Sequence, residues 1–160
     1  MDNNDVLRRL RYILDLNDET MMNIFSLANW QASRSEVSDW LKKEIDPTFQ
    51  PLGDKQLISF LDGLIVKNRG KKDGPQPEPE KRINNNLILK KLKIALNFKT
   101  DDVLEVFDLA DRKISQSELS SFLRKFTQEQ YCSLNDQYLR NFLIGLQIKF
   151  RQNNSDTAHE

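Results

Sequence analysis

Cysteine and histidine are nearly missing from this chain of 160 residues. The sequence holds one cysteine, Cys132, and one histidine, His159, close to the C-terminus. A single cysteine excludes an intramolecular disulfide, and one residue of each kind cannot build a structural zinc site. A histidine general base, a Ser-His-Asp triad or a Cys-His pair is not expected, and no glycine-rich phosphate loop or calcium loop occurs. We therefore predict no metal, no cofactor, no catalytic residue and a protein that is not an enzyme.

Long apolar runs and a charge excess are missing as well. No segment approaches the roughly 18 apolar residues that a membrane helix requires. The acidic start, residues 1–5, is followed by no apolar run and predicts no signal peptide. The chain has 24 basic and 24 acidic residues, which argues against strong, indiscriminate binding to nucleic acid. Together with the single cysteine, these absences predict a cytoplasmic protein without a membrane partner.

What the chain does contain is an internal duplication. A shift of 82 positions aligns residues 4–69 with residues 86–151 without a gap. Apolar residues recur at helical spacing through four segments of each copy, and no strand-like alternation is found. The sequence predicts an all-α fold: two tandem copies of a four-helix unit, about eight helices, in a pseudo-twofold arrangement. The expected boundaries are a first repeat at 1–69, a Pro-rich linker at 70–82, a second repeat at 83–151 and a disordered tail at 152–160.

Most polar residues that both copies retain are predicted to cap helices. Ser33 with Glu36, and Ser115 with Glu118, have the spacing of a capping box, in which each side chain bonds the backbone N–H of the other residue. Other retained or matching polar residues at helix starts are predicted N-caps. These are Asn4 and Asn86, Asp18 and Thr100, and Asp54 and Asp136.

Gly63 and Gly145 occupy matching positions inside the fourth predicted helix of each copy. Glycine there costs about 1 kcal/mol relative to alanine, so its retention needs a cause. We predict that another helix packs closely at this point, with contact between the copies as one option. A ligand that approaches the backbone is the alternative.

Two basic features are not explained by capping. The first is a strip on helix one of each copy, Arg8, Arg9 and Arg11 in the first and Lys90, Lys91 and Lys93 in the second. Such a strip is most often a solvated helix face, but it could contact an anionic partner. Residues 83–151 carry eleven basic and eight acidic residues, a net charge of +3, whereas residues 1–69 carry nine and eleven, a net charge of −2. The second copy is therefore the better candidate for an anionic partner.

The second feature is the segment that contains the third helix. Residues 32–41 and 114–123 resemble the latter half of a DNA-binding helix-turn-helix, in which the second helix contacts the major groove. In the second copy five residues would face outward and form a set that could contact nucleic acid. These are Gln116, Ser117, Ser120, Ser121 and Arg124.

The sequence also resembles a known family. Characteristic segments are residues 11–14 (RYIL), 59–65 (SFLDGLI), 82–86 (RINNN) and 99–102 (KTDD). With these segments the chain is similar to the YehS-like family of small bacterial proteins, which carry a domain of unknown function in two copies. The resemblance implies a bacterial cytoplasmic protein and transfers no catalytic residue.

These observations favour a non-enzymatic helical binding or regulatory protein that acts through protein contacts or self-association. The alternative is a nucleic-acid-binding protein that uses the basic strips or the helix-turn-helix-like segments. Catalysis by carboxylates alone is a third option.

Overall fold

A computed structural model of the chain describes residues 1–152 and contains eight α-helices within them, with no strand. The predicted all-α class is confirmed, and the expected disordered tail lies outside the described residues except for Gln152. A short π-helical segment, Ile148–Gln152, follows the last α-helix. The helices are α1 (Asn3–Ile13), α2 (Asp18–Leu27), α3 (Arg34–Leu41), α4 (Asp54–Arg69), α5 (Asn85–Ala95), α6 (Thr100–Leu109), α7 (Gln116–Leu123) and α8 (Asp136–Gln147).

The helices form two compact units that repeat the same packing. The first unit comprises Met1–Ile83, and the second begins at Asn84. In the first unit α2 packs on α3 and α4, and α1 packs on the same two helices. In the second unit α5 and α6 each contact α7 and α8 in the same pattern. The four helices of each repeat therefore enclose one apolar core.

A cluster of aromatic rings forms the centre of each core. In the first unit Phe25 lies 5.3 Å from Trp40 and 5.4 Å from Phe60, measured between ring centroids. In the second unit Phe107 and Phe142 occupy the positions of Phe25 and Phe60, again with centroids 5.4 Å apart. Tilted ring pairs at this distance contribute about 0.5–1.5 kcal/mol beyond the area that they bury. The duplication thus extends from the sequence to the core geometry.

The retained glycines lie where two helices cross within each unit. A Cβ placed on Gly63 of α4 would lie 1.8 Å from the carbonyl oxygen of Ile24 in α2. A Cβ on Gly145 of α8 would lie 2.0 Å from the carbonyl oxygen of Val106 in α6. Both distances are far below van der Waals contact, so only glycine allows this approach. The helix that crosses the glycine belongs to the same repeat in both cases.

The capping boxes form as predicted, but the other caps were assigned to the wrong residues. Ser33 and Glu36 bond each other's backbone N–H groups at 3.1 Å, and the second repeat has the same arrangement. The N-caps of the remaining helices lie one or two residues earlier than predicted, because an acidic or polar residue in the first helical turn resembles a cap in sequence. The caps are Asp2, Asn17, Gly53, Asn84, Lys99 and Asn135, where Asn4, Asp18, Asp54, Asn86, Thr100 and Asp136 were expected.

Asn4 and Asn86 are buried and hold the loop after the third helix in each repeat. The side-chain amide of Asn4 donates to the carbonyl oxygens of Trp40 and Gln50, both at 2.9 Å, and its Oδ1 accepts from the Leu52 N–H at 3.0 Å. Asn86 makes the same three bonds in the second repeat, at 2.8–3.0 Å. These bonds satisfy backbone groups that burial would otherwise leave without partners. Each asparagine therefore fixes the loop that follows α3 or α7.

Candidate anion-binding site

The basic strip of the first repeat is partly neutralised by carboxylates. Arg8 forms an ion pair with Asp5 and also donates to the carbonyl oxygen of Lys42 at 2.7 Å. Arg11 lies 3.6 Å from a carboxylate oxygen of Asp18, and Arg9 is half-buried. Two of the three cations are thus engaged with acidic groups of their own repeat, which leaves little net charge for an anionic partner.

The basic strip of the second repeat is not one continuous surface. Lys90 is exposed and Lys93 is half-buried, whereas only 7% of Lys91 is accessible to solvent. Lys91 separates the other two lysines along α5, so the three ammonium groups do not form a single exposed row. Of the strip that the sequence suggested, Lys90 is the residue most accessible to a ligand.

Three of the five outward residues predicted on and just after α7 line one open cleft. Gln116, Ser120 and Arg124 line a depression of about 400 Å³. Ser117 and Ser121 are not among its lining residues, and the Ser121 hydroxyl donates a hydrogen bond to the Ser117 carbonyl oxygen. The turn between α6 and α7 comprises residues 110–115, which is longer than the three or four residues of a helix-turn-helix. The geometry thus brings these side chains together but departs from the helix-turn-helix motif.

Arg124 also borders a second, adjoining depression of about 230 Å³, which we call the cationic cleft. Its walls come from α5, the end of α7 and the loop that Asn86 holds. Three of its lining residues are cations and none is a carboxylate, histidine or cysteine. The lining residues are Asn84, Asn86, Leu87, Lys90, Phe122, Leu123, Arg124, Lys125, Phe126 and Tyr131. Such a cleft can attract an anion, and its ionisable side chains are two lysines, one arginine and one tyrosine.

The corresponding positions of the first repeat provide an internal comparison. Arg8, Lys42 and Lys43 occupy the places of the three cations of the cleft. However, the first repeat also places carboxylates among them: Asp2, Asp5 and Glu44 stand where the second repeat has Asn84, Leu87 and Phe126. The formal charge of the matched set is therefore zero in the first repeat and +3 in the second. The same scaffold carries these neutralising acids in one copy and not in the other.

Arg124 shows this difference between the repeats most clearly. Its counterpart Lys42 bonds the carboxylate of Asp39 at 2.9 Å and the hydroxyl of Thr48. Ser121 replaces that aspartate in the second repeat. Within residues 1–152, the buried Nε of Arg124 has no hydrogen-bond partner. A buried donor without a partner costs about 1–3 kcal/mol, so an acceptor supplied by a ligand would be favourable.

Loop residues of the cleft were missed by the sequence reasoning. Lys125, Phe126 and Tyr131 follow α7 and belong to no periodic pattern, so hydrophobic spacing could not select them. A usable signal was present in the duplication: Glu44 in one copy is replaced by Phe126 in the other, a change from charge to aromatic surface.

Two further findings concern other classes of function. Among residues 1–152, no group of three or more histidine, cysteine, aspartate or glutamate side chains is placed to hold a metal ion. In the same part of the chain, every helix is too short or too polar to cross a membrane.

The comparisons with known proteins agree with the duplication. A curated relative, "Uncharacterized protein YehS" of Escherichia coli (strain K12), is 42% identical over 147 residues, which cover 91% of this chain and 94% of the relative. No solved structure matches the chain. One family model matches twice in tandem, at residues 3–70 and 85–152, so that each match covers one helical repeat. The chain therefore belongs to the family described as "Protein of unknown function (DUF1456)", as the resemblance of its sequence predicted.

Proposed function

We propose that the chain is a non-enzymatic binding protein whose second repeat binds nucleic acid through the cationic cleft. The observation that carries the proposal is the charge difference between the matched sets of the two repeats. Both repeats have three cations, but only the first has acids among them. A nucleic acid presents closely spaced phosphates, and local cations rather than the net charge of a protein determine where they bind.

The chemistry of the cleft supports binding rather than catalysis. Arg124 offers a planar guanidinium that can donate two parallel hydrogen bonds to a phosphate, and Lys90 and Lys125 add point charges beside it. The cleft is also smaller than the 300–1,000 Å³ typical of small-molecule pockets, so a surface contact with a polymer suits it better than an enclosed ligand.

Titration of a fluorescein-labelled oligo(dT) of 20 nucleotides, followed by anisotropy at several salt concentrations, tests the proposal. If the three cations neutralise three phosphates, log K should fall with log salt with a slope of about −2. Affinity should then decrease by about 15-fold between 50 and 200 mM salt. Binding that salt does not weaken, or no binding at 50 mM, would contradict the proposal.

Matched variants locate the site. The double variant Leu87→Asp with Ser121→Asp returns two carboxylates that the first repeat accommodates in the same backbone. This variant and Arg124→Ala should weaken binding and flatten the salt dependence. Lys42→Ala removes the equivalent cation of the first repeat. It should leave both the affinity for oligo(dT) and its salt dependence unchanged. If Lys42→Ala weakens binding as much as Arg124→Ala, the second repeat is not the binding surface.

Protein binding is the second candidate function, and a different cleft favours it. Leu104 and Ile114 form part of an open groove of about 570 Å³ along α6. Its lining also has three carboxylates, Asp101, Glu105 and Asp108, and one cation, Lys113. An apolar floor with a rim that is acidic on balance suits a basic, amphipathic helix. An amphipathic peptide of lysine and leucine, titrated by calorimetry, should bind the wild type more tightly than the double variant Asp101→Asn with Asp108→Asn. Equal affinity for the two proteins would reject this candidate.

A further inference from the structure

We infer that the cationic cleft recognises unpaired bases, so that its ligand is single-stranded rather than duplex nucleic acid. The inference rests on the proposed function and is carried by two aromatic side chains, Phe126 and Tyr131. Both line the cleft that contains Lys90, Arg124 and Lys125. The site would thus combine cations for the phosphates with a ring surface for a base.

Phe126 is unusually exposed for a phenylalanine. Its side chain is 82% accessible, whereas the phenylalanines of the core are fully buried. Its ring lies 5.8 Å from that of Tyr131, with an angle of 73° between the planes. In this edge-to-face pair one face of Phe126 stays open to solvent. An exposed ring with a fixed neighbour contributes little to the core, but it offers a surface on which a planar group can stack.

The first repeat again provides the comparison. Glu44 takes the place of Phe126, and Phe49 takes the place of Tyr131. A carboxylate at this position would repel a phosphate chain and could not stack on a base. The single replacement therefore removes a charge that opposes nucleic acid and adds a group that favours it. The first repeat keeps three cations and one ring, Phe49, but it has a carboxylate where the second repeat has the exposed ring of Phe126.

The loop that carries the two rings is held in place before any ligand binds. Gln128 accepts a hydrogen bond from the Lys125 N–H at 2.7 Å, and its own carbonyl oxygen accepts from the Tyr131 N–H at 3.4 Å. Asn86 fixes the next residue, because its amide donates to the carbonyl oxygen of Cys132 at 2.8 Å. Ordering the loop therefore requires little further loss of entropy on binding.

Single strands fit this arrangement better than duplexes. Bases in a duplex are already stacked and paired, so they cannot lie on Phe126 without the cost of unstacking. In a single strand the bases are free to stack on aromatic side chains while the backbone follows a basic groove. Such stacking tolerates any sequence because every base has a flat face. We therefore expect preference for single strands without strong sequence selectivity.

The experiment compares full-length wild type with Phe126→Ala and uses two probes, the labelled oligo(dT) and inorganic polyphosphate, which has phosphates but no bases. Phe126→Ala should weaken oligo(dT) binding by about 5- to 150-fold. It should leave polyphosphate binding unchanged. A single strand that contains 2-aminopurine should change its fluorescence on binding the wild type but not on binding Phe126→Ala. A duplex of equal length should bind the wild type more weakly than the single strand does.

Because Phe126 is exposed, its removal should not affect folding, and Ile45→Ala serves as the control. Ile45 is 92% accessible and lies in the corresponding loop of the first repeat. If both probes bind the wild type and Phe126→Ala alters neither, base stacking is rejected while the proposed function stands. If neither probe binds, both proposals fail. Tighter binding of poly-glutamate than of oligo(dT) would identify an acidic protein segment as the ligand and would overturn the inference.

Discussion

Replacing Gly63 by alanine tests the helix crossing at the centre of the first repeat. The added methyl group would lie 1.8 Å from the carbonyl oxygen of Ile24 and 2.8 Å from its carbonyl carbon. Both are backbone atoms of α2, so no side-chain rotation can relieve the contact. The two helices must move apart by more than 1 Å, or about the length of one covalent bond. This movement would disturb the packing of Phe25 against Phe60, which lie on the same two helices.

The expected loss of stability follows from two opposing terms. Overpacking of a well-packed core costs about 1–3 kcal/mol, and a backbone-to-backbone contact belongs at the upper end of that range. Alanine returns about 1 kcal/mol through its better helix propensity. We therefore expect Gly63→Ala to reduce the free energy of unfolding by about 2 kcal/mol. With a denaturant dependence of about 1 kcal/mol per M urea for a unit of this size, the midpoint should fall by about 2 M.

Urea unfolding followed by tryptophan fluorescence measures this effect in the right part of the chain. Both tryptophans, Trp30 and Trp40, lie in the first repeat. Gly53→Ala is the matched control, because its Cβ would meet only the flexible side chain of Gln56. That change should cost less than about 1 kcal/mol. A Gly63→Ala protein within 0.5 kcal/mol of the wild type, taken as about the error of the measurement, would show that the crossing does not require glycine.

Three further predictions concern the caps and the loops. Asn86→Ala removes three hydrogen bonds and leaves buried backbone groups without partners. Urea unfolding followed by circular dichroism, which reports on the helices of both repeats, should show a loss of about 3 kcal/mol. Ser115→Ala removes half of a capping box and should cost about 1 kcal/mol in the same measurement. The side-chain and backbone hydrogen bonds from Thr48 lower the pKa of Asp46. Thr48→Val should therefore raise that pKa in an NMR titration. The stability that Asp46 contributes should be present above its unfolded pKa and lost as the pH falls through its folded pKa, and this loss should be smaller in the variant.

Helical periodicity and the repeat were sufficient to predict the class of the fold, because buried apolar residues recur every three or four positions in all eight helices. They were sufficient to predict the capping boxes of α3 and α7, but not the N-caps of the other six helices. Asn4 follows Asn3, and either could begin α1 by its chemistry alone. The role of Asn4 depends on the carbonyl groups of Trp40 and Gln50, which lie more than thirty positions away in the sequence. Long-range hydrogen bonds of this kind leave no local pattern.

The basic strips show a second limit of sequence reasoning. Arg8, Arg9 and Arg11 match Lys90, Lys91 and Lys93 in charge and spacing, and the two strips therefore look equivalent. They differ because the neighbours differ: Arg8 has Asp5 one helical turn away, whereas Lys90 has Leu87. A long side chain can also lie along apolar surface, so its charge alone does not predict its exposure. The candidate site was therefore only partly predictable.

Comparison of the two repeats separates structural from functional residues in a single chain. Residues that stabilise the scaffold are retained in both copies. Examples are the buried asparagines, the capping serines and the glycines at the helix crossings. Residues that differ on the same scaffold are released from that constraint. Three positions that line the cationic cleft differ in charge between the copies: Asn84, Leu87 and Phe126 stand where the first repeat has Asp2, Asp5 and Glu44. The anionic ligand that we propose for the second repeat would account for all three differences, because each of these positions carries a negative charge only in the first repeat.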